Sequence, residues 1–342
     1  MANPYKNKGK EHFWRTAVAD RVLPEIALIP ARRFAMSAQT RIATAGSCFA
    51  QNVTRHLLKS KMAPVLMEEE IGADQPLFSA LYGNIYTVRQ LVQLFDRAHG
   101  AFAPKERPWR RDDGRYVDPF RPYVRKDGFA RADEIEAARR PHFDAVRNVF
   151  AGCDVFVFTL GLTEAWLSAE DGAVFPVAPG VVCESLPIDR YRFHNFSYED
   201  CLADLNGFVD RLREVNPAAR ILLTVSPVPL TATYTDDHVA VATCRSKSIL
   251  RAVCDRAESR RENVFYFPSY EIISGHYTKG VYYGENLRSV TADGVADVMR
   301  AFERSYLLPA EPQNEPTTSR LFAETDEDEI CDDGKIFDSV GF

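Results

Sequence analysis

Short apolar runs alternate along the chain with longer stretches in which apolar positions recur at helical spacing. Four runs have the character of strands, at residues 41–46, 153–159, 221–225 and 263–267. They are continuously apolar rather than alternating, which is typical of strands covered on both faces. The pattern therefore predicts a sheet with helices packed on each side.

Three segments carry a helical stripe, at residues 199–215, 246–260 and 292–302. In the first of them the apolar stripe consists of Leu202, Leu205, Phe208, Val209 and Leu212. Asn216 and Pro217 follow it as a stop signal. Strands that alternate with helices predict a parallel sheet with right-handed crossover connections, and hence the α/β class.

Residues 102–130 interrupt this alternation. The stretch is rich in Arg, Pro, Asp and aromatic residues and shows neither a strand-like apolar run nor apolar positions at helical spacing. It predicts an irregular insertion. On an open α/β sheet such insertions commonly cover the carboxyl edge of the strands, where ligands bind.

Composition agrees with a folded, water-soluble chain. Of the 342 residues, 46% are hydrophobic and 26% are charged, which is enough apolar content for a sizeable core. No run of about 18 apolar residues occurs and the first residues do not resemble a secretion signal. We therefore expect no membrane span and a cytoplasmic protein.

The charge is unevenly distributed. Residues 309–342 contain ten acidic and two basic residues, so the net charge of this segment is −8. Because the formal net charge of the whole chain is −6, the remaining residues carry +2. The near-neutral body argues against a nucleic-acid partner. We predict one domain over residues 1–308 and a mostly disordered acidic tail over 309–342, whose last apolar residues could contact a partner protein.

Several common motifs are missing. The seven cysteines form no C-x-x-C pair, which argues against a zinc ribbon and a disulfide framework. The chain also lacks the glycine-rich signatures of P-loop and dinucleotide-binding proteins and the H-E-x-x-H of zincins. These classes are therefore not supported.

The junction after the first apolar run carries the clearest chemical signal. Gly46 and Ser47 stand where the strand is expected to end, directly before a helix that bears Phe49, Val53 and Leu57. This order places the serine hydroxyl at the carboxyl edge of the sheet, where backbone N–H groups and a helix N-terminus could stabilise an oxyanion. A serine at such a junction can also be an ordinary helix N-cap, and both interpretations stay open.

The same residues, Gly46-Ser47-Cys48-Phe49-Ala50, resemble the motif after which the GSCFA-domain family is named. Further blocks of this chain resemble the family in the same order: residues 13–17, 82–87, 118–122, 159–166, 194–198, 226–229, 246–247 and 267–272. The resemblance extends over most of residues 10–305.

The resemblance implies an SGNH-hydrolase-like protein with a flavodoxin-like three-layer α/β/α fold, a central parallel sheet and insertions. It also implies a serine nucleophile, here Ser47, with no metal and no organic cofactor. The Ser47 N–H and the second block, Gly83 with Asn84, would hold the oxyanion. The third block is expected at Gly161-Leu162-Thr163-Glu164, where the usual Asn is absent and Thr163 or Glu164 takes another role.

The general base is the main departure from the family pattern. Many members carry an acidic residue, two spacers and His-Pro near the end of the domain, whereas this chain has Glu285 followed by Arg288 and Ser289. An arginine cannot act as a base. His238 is the first candidate, with Asp237 or Asp236 to orient its imidazole, and His276 and His194 are the alternatives.

The sequence thus predicts a serine esterase or O-acyltransferase that acts on an ester of a carbohydrate or small molecule through an acyl-enzyme on Ser47. His194, Asn195, His276 and Arg288 are expected near the substrate. The alternative is a catalytically degenerate relative that binds a carbohydrate or an anion. The missing Asn and the missing loop His favour this alternative.

Overall fold

The structure is a computed structural model that describes residues 3–29, 33–60, 68 and 77–308. The predicted acidic tail lies outside the described residues. The strands are β1 (Ile42–Gly46), β2 (Trp109–Arg110), β3 (Tyr116–Val117), β4 (Val155–Leu160), β5 (Glu164–Ser168), β6 (Val174–Phe175), β7 (Tyr191–Asn195), β8 (Arg220–Val225) and β9 (Val264–Tyr266). The α-helices are α1 (Ala50–Lys59), α2 (Val88–Ala98), α3 (Ala132–Gly152), α4 (Tyr198–Val215), α5 (Val239–Arg260), α6 (Ser269–Ser274) and α7 (Ala292–Tyr306).

The four predicted strands form one parallel sheet in the order β1-β4-β8-β9. In the register of β1 and β4, Gly46 lies opposite Thr159. The carboxyl ends of these two strands therefore meet at one edge, directly beside Ser47.

Both faces of the sheet are buried. Alternate residues such as Ala43, Phe156 and Phe158 pack in a cluster with helices α2 to α5. Their neighbours, such as Ile42 and Val157, pack in a second cluster with α1, α6 and α7. Helices on both faces make a three-layer α/β/α fold, which confirms the predicted class and explains why the strands are continuously apolar.

Two helices are longer than their patterns indicate. Helix α5 begins at Val239 rather than at residue 246, with His238 as its N-cap, and α7 continues to Tyr306 rather than ending at residue 302. In the first turns of α5 only Ala242 is buried before Ser246, so this part of the helix lacks the apolar stripe that reveals the rest.

A smaller antiparallel sheet, β6-β5-β7, accompanies the main one, and the insertion contributes the short pair β2-β3. Trp109 and Phe120 of the insertion pack against Phe175 and Tyr191 of this second sheet. The insertion is mostly irregular, and its apolar residues share one cluster with residues of the second sheet. Of the helices described, none is both long enough and apolar enough to cross a lipid bilayer.

Candidate active site

The turn after β1 requires glycine at position 46. Gly46 has φ +140, and a Cβ built on it would lie 2.4 Å from the Thr159 carbonyl oxygen. The backbones of β1 and β4 therefore approach more closely than any side chain would allow. This contact fixes the position of Ser47, the next residue.

Ser47 is buried, with 2% of its surface exposed, and its hydroxyl has no hydrogen-bond partner among the described residues. The N-cap of α1 is Phe49, with no side-chain capping bond, so Ser47 does not cap this helix. Its own N–H donates to the Thr159 carbonyl at 3.1 Å. The sheet therefore uses this N–H in the structure, and its expected role as an oxyanion donor stays a prediction.

The second and third blocks meet beside Ser47. The Ile85 N–H donates to the Gly46 carbonyl at 2.7 Å, and the Gly161 N–H donates to the Tyr86 carbonyl at 3.0 Å. A Cβ on Gly161 would lie 3.1 Å from Ser47 Cβ and equally close to the Tyr86 ring. The structure thus brings together three segments that the sequence separates widely.

Gly83 and Asn84 stand at the head of this second block. Gly83 has φ +72, and Asn84 is buried and accepts a bond of 3.4 Å from the Gln51 amide. Both residues line a shallow surface cleft, to which the insertion also contributes; the lining is Leu81, Tyr82, Gly83, Asn84, Phe120, Arg121, Pro122, Tyr123, Val124 and Pro176. Ser47 itself is not part of this lining.

Thr163 and Glu164 have structural contacts. The Thr163 hydroxyl donates to the side-chain oxygen of Asn195 at 2.7 Å. The Glu164 carboxylate accepts from the Thr233 hydroxyl at 2.7 Å and from the Tyr234 N–H at 3.2 Å. These bonds link the start of β5 to β7 and to the segment around Thr233. They also give the Glu164 carboxylate two hydrogen-bond donors.

Two residues of helix α5 bond to the turn that joins β4 to β5. The Thr163 N–H donates to the Ser246 hydroxyl at 3.0 Å, and Lys247 Nζ donates to the Gly161 carbonyl at 2.5 Å. Lys247 is 1% exposed, and its burial lowers the pKa of the ammonium group to about 7. The sequence motifs predict no role for Lys247 in the site. The available signal was its spacing of three from Leu250 and seven from Cys254, which puts a lysine on the apolar stripe.

His238 occupies the N-cap of α5. Its Nδ1 accepts a bond of 3.2 Å from the Ala240 N–H, and the residue is exposed. The Asp237 carboxylate pairs with Arg245 at 2.7 Å. Because the Ser47 hydroxyl lacks a partner in the described chain, His238 does not hydrogen-bond to it. The assignment of His238 as the base stays a prediction.

The two alternative histidines also have other contacts. The His276 ring stacks on Trp14 with 5.2 Å between centroids. His194 Nε2 lies 3.6 Å from a carboxylate oxygen of Asp200. Neither is hydrogen-bonded to Ser47.

Arg288, which stands where many relatives have His, does reach the carboxyl edge. Its Nε donates to the Pro229 carbonyl at 3.1 Å, in the segment that follows β8. Within the described residues no group of three or more His, Cys, Asp and Glu side chains is arranged to hold a metal ion.

A three-layer α/β/α fold with a buried serine at the carboxyl edge of its parallel sheet defines an α/β protein whose candidate site lies at that edge. The chain belongs to the GSCFA family, which it matches over residues 41–302. This match confirms the resemblance carried by the Gly46-Ser47-Cys48-Phe49-Ala50 motif and suggests a hydrolase-like function. No curated protein matches the chain.

Proposed function

We propose that the protein is a serine-dependent acyl-transfer enzyme, an esterase or O-acyltransferase, with Ser47 as the nucleophile. The observation that carries the proposal is the Ser47 hydroxyl, which is buried and without a hydrogen-bond partner in the described chain. A buried polar group without a partner costs roughly 1–3 kcal/mol, so its retention at the carboxyl edge favours a functional role.

The chemistry forms one covalent intermediate. Ser47 Oγ loses its proton to a base and bonds to the ester carbonyl carbon, and the tetrahedral oxyanion collapses as the bond to the leaving alcohol breaks. The alcohol takes the proton. Water or a second hydroxyl then attacks the acyl-enzyme and releases an acid or a new ester, so hydrolase and transferase share this site.

The oxyanion donor we propose is the Gly83 N–H. Gly83 and Asn84 belong to the segment whose next residue, Ile85, is bonded to Gly46 directly before Ser47. The adjoining cleft combines the rings of Phe120 and Tyr123 with polar groups. Such a lining suits an acylated carbohydrate or a small ester.

A serine-directed fluorophosphonate probe tests the nucleophile. We expect the wild-type protein to be labelled and Ser47→Ala to lose labelling and ester turnover, with a change in unfolding free energy within about 1 kcal/mol. Ser259→Ala, which removes an exposed helical serine, is the matched control and should label normally. A fully labelled Ser47→Ala variant would remove Ser47 from the mechanism.

The second candidate function is a binding protein without catalysis. It is favoured by a specific observation: in the described chain no imidazole is hydrogen-bonded to Ser47. The missing Asn of the third block points the same way. A well-folded wild-type protein that resists the probe at all pH values would support this candidate and exclude the enzyme.

A further inference from the structure

We propose that Lys247 is the general base that activates Ser47. The inference rests on the proposed function, because a base is needed only if Ser47 attacks an ester. It replaces the missing loop histidine with an amine on helix α5, so that the site becomes a serine–lysine pair.

The geometry places both side chains against one residue. Lys247 Nζ donates to the Gly161 carbonyl at 2.5 Å, while the α-carbon side of Gly161 faces Ser47 so closely that a Cβ there would lie 3.1 Å from Ser47 Cβ. Gly161 therefore contacts both the amine of Lys247 and the side chain of Ser47. One residue separates the proposed base from the nucleophile along these contacts. Catalytic hydrogen bonds are often long in unliganded sites and shorten when substrate binds.

The surroundings favour the neutral amine. Lys247 is 1% exposed, and no carboxylate is among the described groups that act on its charge. The titratable and charged groups that act on it are Cys48, on the turn before α1, and Arg288, on the loop before α7. Burial is the largest cause of the lowered pKa, the positive charge of Arg288 adds to it, and Cys48 opposes it.

His238 has a weaker case on the same criteria. It is exposed, and its Nδ1 already accepts the capping bond from Ala240. A base must be neutral, close to the nucleophile and shielded from water. Lys247 is buried, and its Nζ is bonded to Gly161, the residue that contacts Ser47. Like His238, it forms no hydrogen bond to the Ser47 hydroxyl in the described chain, so the proposal requires the two groups to come together when substrate binds.

The proton balance is complete without a further reactant. Neutral Nζ takes the Ser47 proton as Oγ bonds to the carbonyl carbon, and the resulting ammonium returns that proton to the leaving alkoxide as the C–O bond breaks. In the second half Nζ takes a proton from the attacking water or alcohol and returns it to Ser47 Oγ when the acyl–enzyme bond breaks.

The experiment measures the rate of fluorophosphonate labelling at Ser47 as a function of pH. For the wild type we expect the rate to rise with pH through about 7, because Lys247 loses its proton there. Lys247→Met keeps the length of the side chain and removes the base, and should label at least about 100-fold more slowly at pH 8. Lys59→Met, at an exposed lysine of α1, is the matched control and should match the wild type.

Two further variants separate a base from a fixed positive charge. Lys247→Arg keeps the charge but cannot accept a proton, and it should be as slow as Lys247→Met. Full labelling of either variant, or loss of labelling in His238→Ala instead, would overturn the proposal. If neither Lys247 variant folds, a wild-type rate that does not change between pH 6 and pH 8.5 overturns it.

These outcomes separate the two proposals. Labelling that depends on Ser47 but not on Lys247 removes the lysine base and leaves the serine mechanism intact. A wild-type protein that is never labelled removes both.

Discussion

At the residue scale, Gly46 determines how closely the two central strands approach beside the nucleophile. In Gly46→Ala the new Cβ would meet the backbone of Thr159 at 2.4 Å, at a φ that side chains rarely adopt. Backbone atoms cannot move aside as a flexible side chain can. We expect a loss of about 3 kcal/mol in unfolding free energy, measured by urea denaturation.

Gly83→Ala is the control for backbone strain alone. Gly83 also has a positive φ, +72, but a Cβ there would meet nothing within 4 Å. We expect a cost of about 1–2 kcal/mol from the left-handed conformation. Equal losses in the two variants would show that the Thr159 contact contributes nothing.

The sequence predicts some of these residue roles and not others. The position of Ser47 at the end of a strand is predictable, because Gly46 and Ser47 directly follow an apolar run and precede a helical pattern. The bond from Lys247 to Gly161 and the bond from the Ser47 N–H to Thr159 join segments that are distant in the chain. No local pattern encodes such contacts.

At the scale of the elements, helix α4 begins with a capping box. The Ser197 hydroxyl accepts from the Asp200 N–H at 3.1 Å, and the Asp200 carboxylate accepts from the Ser197 N–H at 3.0 Å. Ser197→Ala removes one of these bonds and leaves a helix N–H without its partner. We expect a loss of about 1 kcal/mol in thermal or urea unfolding.

Ser197→Thr is the matched variant, because threonine keeps the hydroxyl that accepts the bond. Its stability should stay within a few tenths of a kcal/mol of the wild type. If Ser197→Thr is as unstable as Ser197→Ala, the hydroxyl is not what stabilises the start of α4.

Elements with a strong hydrophobic pattern are predicted correctly from the sequence, and elements with a weak pattern are missed. The four strands of the parallel sheet lie within two residues of their predicted bounds, because burial on both faces makes them continuously apolar. The second sheet was not predicted. Its strand β6 has only two residues, and β5 mixes buried with half-buried positions, so neither gives a recognisable period.

At the scale of the whole molecule, a buried ionic cluster joins the insertion to the body. Asp118 of the insertion is fully buried, with Arg121 Nε at 3.2 Å and Arg139 of α3 at 2.7 Å. Arg121 also donates to the Leu81 carbonyl at 3.5 Å, beside the cleft. Burial alone would raise the pKa of Asp118, but the two arginines hold it well below its usual range.

Asp118→Asn should therefore destabilise the protein by about 3–5 kcal/mol at pH 7, because two arginines lose their buried counter-charge. The wild-type carboxylate contributes stability that is fully present above its unfolded pKa of about 3.9 and is lost as pH falls toward the lower folded value. The difference between variant and wild type in urea unfolding should thus shrink below about pH 4.

Asp133→Asn is the control for this prediction. Asp133 forms an exposed pair with Arg131 at 2.9 Å, so its removal should change stability little. A difference between Asp118→Asn and wild type that stays constant down to pH 2 would contradict a charged Asp118 in the folded state.

The bond between Lys247 and the Gly161 carbonyl also bears on the order of events in folding. Lys247 and Gly161 are 86 residues apart in the chain, so their bond closes a long loop, and we expect it to form after the local helical contacts. Helices form within microseconds, whereas contacts of this range are gained late in folding. During refolding, the helical signal should therefore return before reactivity at Ser47, and the recovery of reactivity would mark the moment at which the chain completes its native topology.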